Sequence, residues 1–239
     1  MKTKLLAVKF LLACFGINVT TSDGAEFQNL DFESAELPIL EPNQTGGYQP
    51  VAFALPGWNA YLGTQLQDEV LYNTASFGSS TINIIGPNTS FGRVIEGNFS
   101  ALLLAALDPQ DGLTPLNVTI EQAGIVPSGM QSLQFKGIFP TPNPEFSFEP
   151  FIVTLNGQPI PMESIQNNGT YRLVAGNVSS FAGLDAELRI TALAYSSGPN
   201  ALLLDSIVFS PLPIPEPPPW AMWVLGSLLL GCKITRRLR

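Results

Sequence analysis

The sequence has 239 residues, 45% of them apolar and 13% charged, enough for one good-sized core and incompatible with general disorder. It has no histidine, and its two cysteines, Cys14 and Cys232, lie near the ends, so Ser-His-Asp, zinc-histidine, thiol and disulfide-framework chemistry are excluded from the middle. Between Asp23 and Asp205, four basic and eighteen acidic residues leave a charge of −14, which repels nucleic acid and anionic lipid and leaves neutral sugars, cations or other proteins.

The chain begins MKTKLLAVKFLLACFGINVTTSDGA. Lysines at positions 2, 4 and 9 precede an apolar stretch from Phe10 to Val19, the layout of a secretory signal peptide. Residues 1–25 are therefore expected to direct export. An uncleaved anchor is the alternative. Leu11-Leu12-Ala13-Cys14 also has the outline of a lipoprotein cleavage site, although Leu12 is bulky where that signal has a small residue.

Residues 26–211 read as one β-sandwich domain. In LNVTIEQ, Leu116, Val118 and Ile120 share one face, and Asn117, Thr119 and Glu121 the other. SLQFKGI sets Leu133 and Phe135 opposite Gln134 and Lys136. AELRITA sets Leu188 and Ile190 inward, and Glu187, Arg189 and Thr191 outward. Asn156-Gly157 between apolar residues predicts a hairpin turn. ALLLAAL (101–107) and ALLLDSIVF (201–209) lack alternation, as central strands or a short buried helix do. Gly/Pro/Asn clusters punctuate the strands, and the one helical candidate is a single turn in NVSSFAGL, capped by Asn177.

Chemistry-bearing candidates are few. Trp58 and Tyr61 lie in a Gly/Pro-rich region with Tyr48 and Phe53, and aromatic faces of this kind stack on sugar rings. Trp58, followed by alternating Ala60 and Leu62, also fits a core plug. Asn59 and Gln65 could add hydrogen bonds. A two-carboxylate glycosidase needs only acids, and Asp68-Glu69 and Asp185/Glu187 are nominally available. Asn-x-Ser/Thr sequons begin at Asn18, Asn43, Asn88, Asn98, Asn117, Asn168 and Asn177. They are either glycan acceptors or the Asn- and Ser/Thr-rich exterior of a β-protein.

Residues 212–239 close the chain with Pro215-Glu216-Pro217, an apolar run from Trp220 to Cys232, and a basic tip of Lys233, Arg236, Arg237 and Arg239. As a helix, that run would span about 20 Å, against a bilayer core of about 30 Å. The prolines would hold Glu216 extended. The tryptophans suit the outer interface and the basic tip the inner side. The order of these parts resembles the PEP-CTERM sorting signal of Gram-negative bacteria. That resemblance implies a short transmembrane helix and transient membrane association. It also implies processing by an exosortase, and delivery to the cell surface or an extracellular polysaccharide matrix. A permanent single-span anchor is the alternative.

NLDFES (29–34), the early Trp58 and the final LRITALAYSSGPNALLLDSIVF (188–209) resemble galactose-binding-like jelly rolls, in which NLDFES would start on a strand. This resemblance implies an all-β, jelly-roll-like sandwich with its first and last strands close together. It further implies a structural calcium held by Glu33 and Asp205, with backbone carbonyls completing six to eight oxygens. The resulting expectation is an exported, non-catalytic binding or structural protein with polysaccharide as its leading partner class. A permanently anchored adhesin and a glycoside-active enzyme are the competing readings.

Overall fold

Alternation and turn chemistry divide the described residues into fifteen strands and one very short α-helix. In the computed structural model, residues 24–42, 44–74, 78–90, 93–140, 150–195 and 198–214 are described. The expected signal peptide, Pro215-Glu216-Pro217, the apolar run and the basic tip lie outside the described residues. Among the described residues no helix is long and apolar enough to cross a membrane.

The strands are β1 (Gly47–Pro50), β2 (Asn59–Leu62), β3 (Gln65–Gln67), β4 (Glu69–Tyr72), β5 (Thr81–Ile85), β6 (Ser100–Leu107), β7 (Pro115–Leu116) and β8 (Val118–Ile125). They continue as β9 (Ser132–Ile138), β10 (Phe151–Leu155), β11 (Gln158–Pro159), β12 (Glu163–Asn167), β13 (Arg172–Asn177), β14 (Asp185–Ala192) and β15 (Asn200–Ser210). A single helical turn, α1 (Val51–Ala54), follows β1 and was not anticipated from the sequence. Two sheets result. A nine-stranded sheet runs β1-β4-β5-β6-β15-β9-β13-β12, with β7 added beside β6. A six-stranded sheet runs β11-β10-β14-β8-β2-β3. Pairing is antiparallel except between β4 and β5.

The inner faces of the two sheets share one core. Val118, Ile120, Leu188, Ile190, Val153 and Leu155 enter it from the smaller sheet; Ile84, Leu103, Leu202, Leu204, Leu133 and Phe135 enter from the larger. This is the burial expected of the alternating strands. The two apolar runs form the neighbouring strands β6 and β15, paired as Leu202 with Leu103 and Leu203 with Leu102. Leu104 and Leu203 point away from the core yet are 3% and 8% exposed. Strands buried on both faces have no polar side to alternate with, which accounts for the unbroken apolar runs.

Local signals settle the turns. Asn156 (φ 49°) and Gly157 (φ 73°) both adopt the left-handed region and join β10 to β11. Asn177 Oδ1 accepts hydrogen bonds from Ser179 N at 2.9 Å and Ser179 Oγ at 2.8 Å, starting the 3-10 turn Ser179–Phe181.

Two expectations are corrected. NLDFES is a turn, not the start of a strand. Asn29 (φ 48°) and Phe32 (φ 61°) are left-handed, and Asn29 Oδ1 accepts from Ser34 N at 2.9 Å. The turn nevertheless lies against the last strand, where Ile207 N donates to Leu30 O at 2.9 Å. Leu116 does not continue the face of Val118 and Ile120, because it belongs to β7 and pairs with Ala106 in the other sheet. The chain changes sheets at Asn117, whose side-chain oxygen accepts from Ala194 N at 2.9 Å.

Candidate functional site

The outer face of the six-stranded sheet is built by the outward half of each alternating strand. Strand register places Leu66, Tyr61, Thr119, Thr191 and Ile152 in one row across five strands, β3-β2-β8-β14-β10. At about 4.8 Å per strand the row is about 19 Å long. Leu66 is 57% exposed and Ile152 is 36% exposed. Between them, Thr119 and Thr191 are buried beneath their neighbours, and their hydroxyls meet at 2.9 Å. A second, polar row lies alongside, made of Asn59, Glu121, Arg189 and Thr154.

The two rows are tied at Tyr61. Its hydroxyl donates to Glu121 Oε1 at 3.4 Å, and the Arg189 guanidinium lies 5.8 Å from its ring centre. Arg189 Nη2 forms an ion pair with Glu121 Oε2, and Arg189 Nε lies 2.9 Å from Glu187 Oε1. Desolvation, followed by the charge of Glu121, raises the Tyr61 hydroxyl pKa above its ordinary value, so the phenol stays a donor at neutral pH. The Arg189 and Glu187 side chains remain 45% and 42% exposed, whereas that of Glu121 is 10% exposed. Glu121 therefore positions the tyrosine and arginine from below, while the other two offer hydrogen bonds to solvent.

Trp58 does not join this face. It is 3% exposed, packs 5.9 Å from the Phe32 ring, and donates from Nε1 to Asn29 O at 3.0 Å. A sugar ring has no access to it. Tyr48 and Phe53 are exposed, but they belong to β1 and α1, at the edge of the other sheet. Asn59 reaches the polar row, whereas Gln65 is paired with Leu62 on the opposite side of the strand.

Glu33 and Asp205 are brought to one loop. Glu33 Oε1 accepts from Asn98 N at 2.8 Å and Phe99 N at 2.9 Å, and Oε2 from Asn98 Nδ2 at 3.0 Å. Asp205 Oδ2 accepts from Ser100 Oγ at 2.7 Å and Glu96 N at 3.1 Å, and Oδ1 from Ser206 N at 2.6 Å. Asp205 is 1% exposed, and burial pushes its pKa up to about 6. The donor set does not fit a calcium ion, which takes its ligands from oxygens with free lone pairs. Here N–H and O–H groups point at both carboxylates. No group of three or more His, Cys, Asp or Glu among the described residues is arranged to hold a metal.

A cleft of about 420 Å³ opens beside β10, β12 and β13, lined by Phe139, Phe151, Ile160 and Met162, with Arg172 4.6 Å from the Phe139 ring. Its lining is mostly apolar, so it offers few partners for hydroxyl groups.

No family model and no curated protein matches the chain. A solved structure that it matches is a module described as TmCBM61 in complex with beta-1,4-galactotriose, at 9% identity. The match covers 77% of this chain and 95% of that one, with a TM-score of 0.34. A likeness this distant carries no argument about ligand or fold. What the geometry itself defines is a β-sandwich whose six-stranded sheet has an open outer face with two parallel rows meeting at Tyr61.

Sequence alternation exposed Thr119, Glu121, Arg189 and Thr191 as outward residues. It could not place them beside Tyr61, because that requires the pairing of β2 with β8 and β8 with β14. Leu66 and Ile152 gave no signal at all, since an isolated apolar residue in a short strand reads as core.

Proposed function

We propose that this chain is an exported, non-catalytic β-sandwich of jelly-roll-like winding that binds carbohydrate on the outer face of its six-stranded sheet. The observation that carries this reading is the pair of rows meeting at Tyr61. Pyranose rings have apolar C–H faces and a polar rim of hydroxyls. An aromatic-aliphatic row beside Asn59, Arg189 and Glu187 offers a partner to each. Two carboxylates surround one guanidinium, so the face favours neutral chains over polyanions. The engagement of Glu187 with Arg189 favours binding over hydrolysis.

Screening the protein against neutral and anionic polysaccharides tests the reading. Tyr61→Ala is expected to weaken the strongest neutral-glycan interaction about tenfold or more, as loss of a stacking aromatic in a hot spot does, with the melting temperature nearly unchanged. Binding equal to wild type would place the site elsewhere.

The delivery route rests on the terminal segments. Signal-type residues 1–25 and the PEP-CTERM-like residues 212–239 support export, brief retention in the membrane, exosortase processing and release to the surface or matrix. Mass spectrometry of the protein recovered from the surface should lack peptides beyond Pro217. Recovery of the Arg236-Arg237 terminus would instead establish a permanently anchored adhesin.

A further inference from the structure

We infer that Glu33 and Asp205 form a metal-independent clamp on the loop from Arg93 to Phe99, fastening the two ends of the domain through backbone N–H groups rather than through a cation.

The loop lies between residues that are far apart in sequence. Glu33 comes from the N-terminal turn and Asp205 from the last strand, β15. Their hydrogen bonds to the loop and to Ser100 at the start of β6 span 65, 66, 105 and 109 residues. Closing such long separations costs chain entropy, and many small domains offset it with a disulfide or a metal. No cysteine is present between Cys14 and Cys232, and the carboxylates face donors. The clamp takes the place of both devices.

Its chemistry is specific. An ionised carboxylate has about four lone-pair sites. Glu33 fills three of its own with Asn98 N, Asn98 Nδ2 and Phe99 N. Asp205 likewise takes Glu96 N, Ser100 Oγ and Ser206 N. The positive ends of these dipoles occupy the positions that a cation would need. Gly97 makes room for this arrangement. Its φ is +61°, and a Cβ there would lie 2.4 Å from Glu33 Oε1. Any other residue both strains the loop and drives the carboxylate out.

The carboxylate of the loop's own acid, Glu96, has separate partners. Glu96 pairs with Lys136 of β9 and accepts from Ser206 Oγ. Lys136 is the register partner of Asp205 across β15 and β9, but its ammonium goes to Glu96. Arg93 at the start of the loop donates to Thr170 O. The same residue lines a hollow with Ile85, Leu102 and Leu203 on the outside of the large sheet. A fastened loop thus borders the apolar outer surface of that sheet.

The test uses the full-length chain. Melting temperature in millimolar calcium and in excess chelator is expected to be the same, and calorimetric titration with calcium to give no binding heat. Calcium-dependent stabilisation of the wild type would overturn the inference without any variant. Hydrogen exchange then tests the clamp itself. Glu33→Gln is expected to speed exchange of the Asn98 and Phe99 amides by about ten- to a hundredfold, the range for hydrogen bonds to a charged acceptor. Amides of β8 and β14 should keep their protection. Unchanged exchange at Asn98 and Phe99 would also overturn it. Should Glu33→Gln fail to fold, the milder Asn98→Ala removes the Nδ2 contact, and the Phe99 amide should still lose protection.

Discussion

Trp58→Ala is expected to lower the unfolding free energy by about 3–5 kcal/mol, the range for truncating a buried large aromatic side chain. Three losses combine. The indole leaves a cavity between the sheets, because its surroundings include the fully buried Phe32. The half-buried Asn29 O loses its donor. The turn at Asn29–Ser34 then loses a brace. That turn also relies on Asn29 Nδ2 donating to Pro56 O at 3.1 Å, and it presents Leu30 O to Ile207 of the last strand. Urea titration measures the change. Affinity of the remaining folded protein for its glycan should equal that of the wild type. A variant that stays stable but stops binding would mean that Trp58, rather than Tyr61, contacts the ligand.

Acidification from pH 7 towards pH 4.5 is expected to stabilise the domain, against the usual trend. Asp205 has a folded-state pKa of about 6, against an ordinary value of 3.8. Burial is the main cause; the hydrogen bonds from Ser100, Glu96 and Ser206 oppose it only in part, and the charge of Glu33 adds to it. The folded state therefore holds a proton that the unfolded state lacks at pH between those values. Stability falls as pH rises through this window and levels off above it, by about 3 kcal/mol in all at 1.36 kcal/mol per unit.

Other acids act in the opposite sense and at lower pH. Hydrogen bonds from Lys136, then Ser206, hold the Glu96 pKa below its ordinary 4.5, so its contribution is lost only as pH falls below that range. Asp111, bonded to Thr114 and Leu113, behaves likewise below its ordinary 3.8. Melting temperature against pH should thus peak near the lower end of the Asp205 window. Asp205→Asn should remove the slope between pH 4.5 and 7. A melting temperature that rises towards neutrality would show that Asp205 is stabilised in its charged form.

How much of this was legible depends on the range of the signal. Strand faces carried by one short stretch could be read directly: Leu188 and Ile190 point inward and Arg189 outward because a strand has period two. Asn156-Gly157 named its turn because few other pairs accept two left-handed residues. NLDFES misled for the same local reason. Its alternating apolar residues suit a strand, but the Trp58 and Ile207 contacts that stabilise its turn come from 29 and 177 residues away. The open face was half legible, since its outward residues were known and their neighbours were not.

The sequons illustrate a related ambiguity. Asn98, Asn117, Asn168 and Asn177 use side-chain amides to bind Glu33 or neighbouring backbone, and Asn88 Nδ2 donates to Leu40 O at 2.9 Å. Asparagine at these sites therefore has a folding role that an acceptor motif does not reveal.

The position of β15 sets an order of events for folding. It lies inside the nine-stranded sheet, between β6 and β9, although it is the last strand of the chain. Until it arrives, β6 and β9 both face an empty slot, and the loop from Arg93 to Phe99 lacks one side of its fastening. A chain folding as it is made can therefore complete its larger sheet only after residue 210 has emerged. Ser132 Oγ then holds Leu212 O at 2.8 Å. Glu216 follows Leu212 by four peptide units, a reach of about 14 Å at most. An enzyme acting on Pro215-Glu216-Pro217, as proposed above, would therefore meet a cargo whose last strand is already locked into the sheet.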